Sequence, residues 1–78
     1  MKEIIKENGW ELINNSDYWW VIEAKGVRFI LCETQWGRFG STLYTLKVYG
    51  ETGVKTLMTG GRIMTCIARI RKITEAKQ

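Results

Sequence analysis

The spacing of apolar residues changes at Gly60-Gly61, and this change constrains the fold more than any other feature of the chain. Up to Met58 the apolar residues alternate or form short blocks, as they do in β-strands. After Gly61 they recur every three or four positions, which places them on one face of an α-helix. This apolar stripe consists of Ile63, Cys66, Ile67, Ile70 and Ile73. The sequence therefore predicts a sheet followed by a C-terminal amphipathic helix.

Five segments before the helix have the composition of strands, since they are rich in aromatic and β-branched residues and are bounded by Gly, Asn or Asp. They span residues 10–14, 18–24, 27–34 (or 27–36), 43–49 and 54–59. The Lys25-Gly26 turn joins the second and third segments in a hairpin. The predicted fold class is α+β: a four- or five-stranded antiparallel β-sheet meander with the C-terminal helix packed on one face.

Residues 1–8 allow a short N-terminal helix in front of the sheet. Ile4 and Ile5 stand among charged residues, and Asn8-Gly9 suits a C-terminal cap. So short a helix is stable only when its apolar residues dock on the sheet. With 78 residues, 45% of them hydrophobic, and no proline, the chain is expected to form a single compact domain over residues 1–78.

One helix covers only one face of a sheet. In the segment 18–24, alternation places Trp20 and Ile22 on one face and Trp19 and Val21 on the other. We expect Trp10 and Trp20 in the core. Because both faces carry apolar residues, the second face needs its own cover: the N-terminal helix, a partner subunit or a ligand that stacks on aromatic rings.

The residue types argue against an enzyme. The chain has no histidine, one aspartate and glutamates scattered among lysines, so general acid–base groups are scarce. We expect no catalytic residue, no metal site and no cofactor. Cys32 and Cys66 lie 34 positions apart in apolar segments. They are expected to be buried free thiols, with a disulfide as the alternative.

The opening residues lack an apolar stretch long enough for a signal peptide, and no segment has the length of a membrane span. The expected location is the cytoplasm of a bacterium or of a phage host, without a membrane partner.

Positive charge is concentrated in the second half of the chain. Residues 1–39 carry a net charge of −1 and residues 40–78 a net charge of +5, which gives the total of +4. Such asymmetry indicates a partner with negative charge, either nucleic acid or an acidic protein surface. A solvated basic helix face is the alternative explanation.

The leading hypothesis is a small non-enzymatic module that binds single-stranded or duplex nucleic acid through a basic helix rim and exposed aromatic residues. Cations would contact phosphates, and aromatic rings would stack on bases. The proposed binding residues are Arg28, Trp36, Arg38, Phe39, Lys47, Lys55, Arg62, Arg69, Arg71 and Lys72.

Other hypotheses remain open. The chain could be a phage or mobile-element protein that inhibits a host defence protein through its exposed sheet face, with Trp19, Arg28 and Tyr49 as anchors. A homodimer is also compatible with the sequence. The glycines of Thr59-Gly60-Gly61-Arg62 could instead hold a phosphate at the helix N-terminus. The simpler interpretation of that segment is a strand-to-helix turn with Thr59 as the cap.

The segment from Ile4 to Leu12 (IIKENGWEL) resembles the start of HicA-type toxins. That resemblance implies an α-β-β-β-α fold of the kind that binds double-stranded RNA, but the catalytic histidine of the family has no counterpart in this chain. The order of strands, turns and terminal helix also resembles that of single-strand-binding proteins that dimerise through their helices.

Overall fold

The computed structural model describes residues 1–34 and 42–75, and within them it confirms the α+β fold. The elements are α1 (Lys2–Glu7), β1 (Glu11–Asn15), β2 (Trp19–Ala24), β3 (Val27–Thr34), β4 (Leu43–Gly50), β5 (Gly53–Gly61) and α2 (Ile63–Glu75). The five strands form one antiparallel sheet in chain order. The sheet is thus a meander, with more strands than the α-β-β-β-α order suggested by the resemblance of the opening segment.

The largest difference from the predicted boundaries lies at the junction between β5 and α2. Gly60 and Gly61 belong to the strand, and Gly61 pairs with Tyr44. The backbone N–H of Cys66 donates to the carbonyl oxygen of Arg62 at 3.0 Å, which makes Arg62 the N-cap of α2. The interpretation of Thr59 as the helix cap was therefore wrong, because the strand continues past it.

The core lies between the sheet and the two helices. α2 buries Cys66, Ile67, Ile70 and Thr74, and α1 buries Ile5. The sheet contributes Ile22, Ala24, Phe29, Leu31 and Leu46, each almost fully inaccessible. The buried hydroxyl of Thr74 donates to the carbonyl oxygen of Ile70 at 2.9 Å, so its polar group has a partner. Trp10 and Trp20 pack against this core, as predicted.

Both edge strands carry bulges, whereas the inner pairings are regular. In β1 the pairing with β2 shifts by one residue at Ile13. In β5 the pairing with β4 shifts twice, at Leu57 and again before Gly61. Gly60 has a φ of +68°, the left-handed conformation found in one common type of bulge. The pairings of β2 with β3 and of β3 with β4 contain no shift.

The C-terminus of α1 is closed by a Schellman motif. The N–H of Gly9 donates to the carbonyl oxygen of Lys6 at 3.0 Å, and the N–H of Trp10 donates to that of Ile5 at 3.1 Å. Gly9 has a φ of +76°. The amide of Asn8 adds a hydrogen bond from its side chain to Ile4 at 2.7 Å. The motif turns the chain from the short helix directly into β1.

Gly9→Ala should destabilise the protein by about 1–2 kcal/mol, because an L-residue with a Cβ is strained at positive φ. Gly9→Asn should cost less, since Asn tolerates this conformation. Gly50→Ala is the matched control: its φ is not in the left-handed region, and an added Cβ would meet only an ordinary contact of 3.5 Å. Urea unfolding followed by tryptophan fluorescence measures all three. Equal losses for Gly9→Ala and Gly50→Ala would contradict the prediction.

Candidate binding surfaces

The side of the sheet that faces away from both helices is here called the open face. Strand alternation and register place residues of all five strands on it. They include Glu11, Asn14, Trp19, Val21, Glu23, Arg28, Ile30, Cys32, Thr34, Leu43, Thr45, Lys47, Tyr49, Val54 and Thr56. No element of the described chain covers this side. The N-terminal helix α1, which was one of the expected covers for the second face, lies on the same side of the sheet as α2.

The centre of the open face is apolar. Val21 pairs with Ile30, and Ile30 pairs in turn with Lys47. In the next row Trp19 pairs with Cys32. These five side chains are half-buried. A contiguous apolar area on the surface of a protein usually marks a site of interaction.

At one end of the open face Arg28 forms an ion pair with Glu23, with 3.4 Å between Nη2 and Oε2. The two side chains are 51% and 36% exposed, so the pair contributes little to stability. Together with Tyr49 they line an open pocket of about 370 Å³ at the β2–β3 turn. An anionic ligand at Arg28 would have to compete with Glu23.

The open face is electrically balanced. Its acids are Glu11 and Glu23, on β1 and β2, and its bases are Arg28 and Lys47, on β3 and β4. The charged residues described on this face therefore sum to zero, although the chain as a whole carries +4. The acids lie on the two strands at one edge of the sheet and the bases on the next two strands, and Glu23 meets Arg28 where the two groups adjoin.

A second surface lies on the other side of the sheet, along α2. Because successive residues of a helix are about 100° apart, Arg69 and Arg71 point to different sides of it. Arg71 points toward α1, where its Nε donates to Oδ1 of Asn8 at 2.7 Å. Arg69 lies on the opposite side of α2, Lys72 lies one turn beyond it, and Arg62 precedes the helix as its N-cap. These three exposed residues form what we call the basic flank.

Lys55 lies on the same side of the sheet as the basic flank. It pairs with Val48, which packs against the core under the helices, and its own side chain is exposed at the edge strand β5. The helix side of the molecule thus holds most of the cations that the sequence singled out.

The structure divides the predicted nucleic-acid-binding residues between two opposite surfaces. Arg28 and Lys47 lie on the open face. Lys55, Arg62, Arg69 and Lys72 lie on the helix side, and Arg71 is turned toward α1. Trp36, Arg38 and Phe39 lie outside the described residues. A rim that includes both Arg69 and Arg71 is therefore not one continuous surface.

The residues of the alternative, protein-binding hypothesis do share one surface. Trp19, Arg28 and Tyr49 all lie on the open face, and Tyr49 is 44% exposed. Sequence reasoning missed the role of Glu11 there, because only the register of β1 with β2 shows that it lies beside Glu23. It also missed the contact between Asn8 and Arg71, which joins residues far apart in the chain.

The two cysteines lie on opposite sides of the sheet and are both free. Cys66 is in the core, as expected, and burial raises the pKa of its thiol. Cys32 is only half-buried on the open face, so the expectation that both thiols are buried was wrong for Cys32. The sheet between them prevents an intramolecular disulfide.

Comparison of the chain with protein-family models, curated proteins and solved structures gave no match in any of the three. In residues 1–34 and 42–75, no group of three Cys, Asp or Glu side chains is arranged to hold a metal ion. Neither of the two described helices has the length and apolar character needed to cross a membrane.

A thiol reagent at neutral pH should modify Cys32 in the folded protein and reach Cys66 only on unfolding. Cys66 is inaccessible, and its raised pKa leaves less of the reactive thiolate. Mass spectrometry over time should show one fast adduct, which Cys32→Ser removes. Fast modification of Cys66 in folded Cys32→Ser protein would contradict this placement.

Proposed function

We propose that this chain is a non-enzymatic nucleic-acid-binding module whose phosphate contacts are made by the basic flank. The observation that supports this function is the position of Arg69 and Lys72 on one side of α2, with Arg62 at the N-cap of the same helix. Each of the three is exposed. Arg71, by contrast, is engaged with Asn8.

The spacing of the basic flank suits a row of phosphates. Arg69 and Lys72 are neighbours on the helix surface, with about 5–6 Å between their Cβ atoms. Arg62 lies ten residues before Lys72, which corresponds to about 15 Å along the helix axis. A B-form strand advances about 3.4 Å per phosphate, so the flank spans about four phosphate steps.

The open face is less suited to phosphates than the basic flank. Its cations are balanced by Glu11 and Glu23, and Arg28 is already paired. Stacking on Trp19 or Tyr49 would also take place on the opposite side of the sheet from the flank. The proposed binding therefore relies on contacts to backbone phosphates and not on stacking with bases, and it depends little on base sequence.

A second candidate function is protein binding through the open face, as an inhibitor or adaptor. Its support is that Trp19, Arg28 and Tyr49 share this face, since Trp, Tyr and Arg are the residue types that dominate interface energetics. This function and nucleic-acid binding use different surfaces, so variants can separate them.

The double variant Arg69→Gln/Lys72→Gln should weaken binding to short fluorescent oligonucleotides and reduce its salt dependence. Each lost phosphate contact should make the slope of log K against log salt shallower by about 0.7 for single strands or 0.9 for duplexes. Fluorescence anisotropy between about 50 and 200 mM salt measures the slope. Gln keeps a good helix propensity, so α2 should persist.

The matched control is Lys2→Gln/Lys6→Gln, which removes the same net charge from exposed positions of α1. It should leave the slope nearly unchanged. Equal losses in the two double variants would reduce the effect to net charge and overturn the assignment of the flank. Absence of wild-type binding at the lowest salt would overturn the function.

A further inference from the structure

We infer that Thr65 is a fourth phosphate-contacting residue on the surface that carries the basic flank, and that it acts by donating a hydrogen bond and not by charge. This inference rests on the proposed nucleic-acid function and deepens it. The ligand is the phosphodiester backbone, which is recognised through its oxygen atoms as well as through its charge. Threonine hydroxyls are among the groups with which proteins commonly contact backbone phosphates.

Thr65 lies in one row with the two cations of α2. The residues Thr65, Arg69 and Lys72 occupy positions i, i+4 and i+7 of the helix, which places them within about 60° of one another around its axis. Neighbouring members of such a row have Cβ atoms about 5–6 Å apart. Arg62, the N-cap, lies three residues before Thr65. Thr65 therefore fills the interval between Arg62 and Arg69, which holds no cation.

The hydroxyl of Thr65 is available to a ligand. Thr65 is exposed, and its hydroxyl has no hydrogen-bond partner among residues 1–34 and 42–75. Thr74, the other threonine of α2, differs in both respects. It is buried, and its hydroxyl lies 2.9 Å from the carbonyl oxygen of Ile70 and 3.1 Å from that of Arg71. Only Thr65 therefore offers a hydroxyl donor on the outer side of the helix.

The surroundings of Thr65 on α2 suit a phosphate bound between Arg62 and Arg69. The first turn of the helix contains no acid, and Glu75 lies ten residues from Thr65, or about 15 Å along the axis. Ala68, one turn beyond Thr65, is exposed and small, so a nucleic-acid backbone can approach the helix closely there. One phosphate can then accept from both guanidinium groups and from the hydroxyl.

Thr65→Val removes the hydroxyl but keeps the size and the β-branched shape of the side chain. It should weaken binding to the fluorescent oligonucleotides about five- to tenfold, near the lower limit for one hydrogen bond to a charged group because the site is exposed. The slope of log K against log salt should stay unchanged, since a neutral hydroxyl displaces no counterion. Thr65→Ser keeps the donor and should bind nearly as tightly as wild type.

Thr56→Val is the matched control. Thr56 is an exposed threonine of β5 on the open face, so the same change there should alter neither the affinity nor the slope. Circular dichroism verifies the fold of each variant. A double-mutant cycle of Thr65→Val with Arg69→Gln tests whether both residues hold one phosphate. The combined loss should then be smaller than the product of the separate losses. Losses that simply multiply would contradict a shared phosphate.

Three further results would overturn the inference. The first is a Thr65→Val variant that binds as tightly as wild type while Arg69→Gln/Lys72→Gln lowers the slope, which would keep the flank and remove Thr65 from it. The second is a shallower slope in Thr65→Val, which would mean that the change disturbs the cations. The third is Thr65→Ser binding as weakly as Thr65→Val. Absence of wild-type binding is a separate result, and it overturns the proposed function itself.

Discussion

The packing of α2 across the sheet is the contact on which the rest of the molecule depends. Ile70 and Cys66 of the helix join Phe29, Leu31 and Leu46 in one buried cluster. Among the described elements no other is large enough to bury the apolar side chains of five strands, because α1 has only six residues. The helix therefore decides which face becomes core. The opposite face is covered by none of the described elements.

This division also sorts the charges. The apolar stripe of α2 must face the sheet, so the cations of the helix lie on its outer side. Because successive residues are about 100° apart, Arg71 lies on a different side of the helix from Arg69. The open face keeps equal numbers of acids and bases. The two surfaces are thus physically independent.

Much of this arrangement was predictable from local sequence patterns. The alternation placed Trp20, Ile22 and Ala24 on one face of β2, and the apolar spacing located the start of α2 at Ile63. Which face of β2 becomes core was not predictable, because Trp19 and Val21 make the other face apolar as well. The extent of β5 was not predictable, because Gly60 and Gly61 have low strand propensity and are held there by pairing with β4. The grouping of Glu11 with Glu23 depends on strand register, which emerges only when the whole sheet forms.

The bulges of the edge strands determine how such a sheet can grow. The edges of β1 and β5 present irregular rows of backbone donors and acceptors, while the inner pairings remain regular. An irregular edge is a poor template for another strand, so edge-to-edge pairing of chains into fibrils is disfavoured.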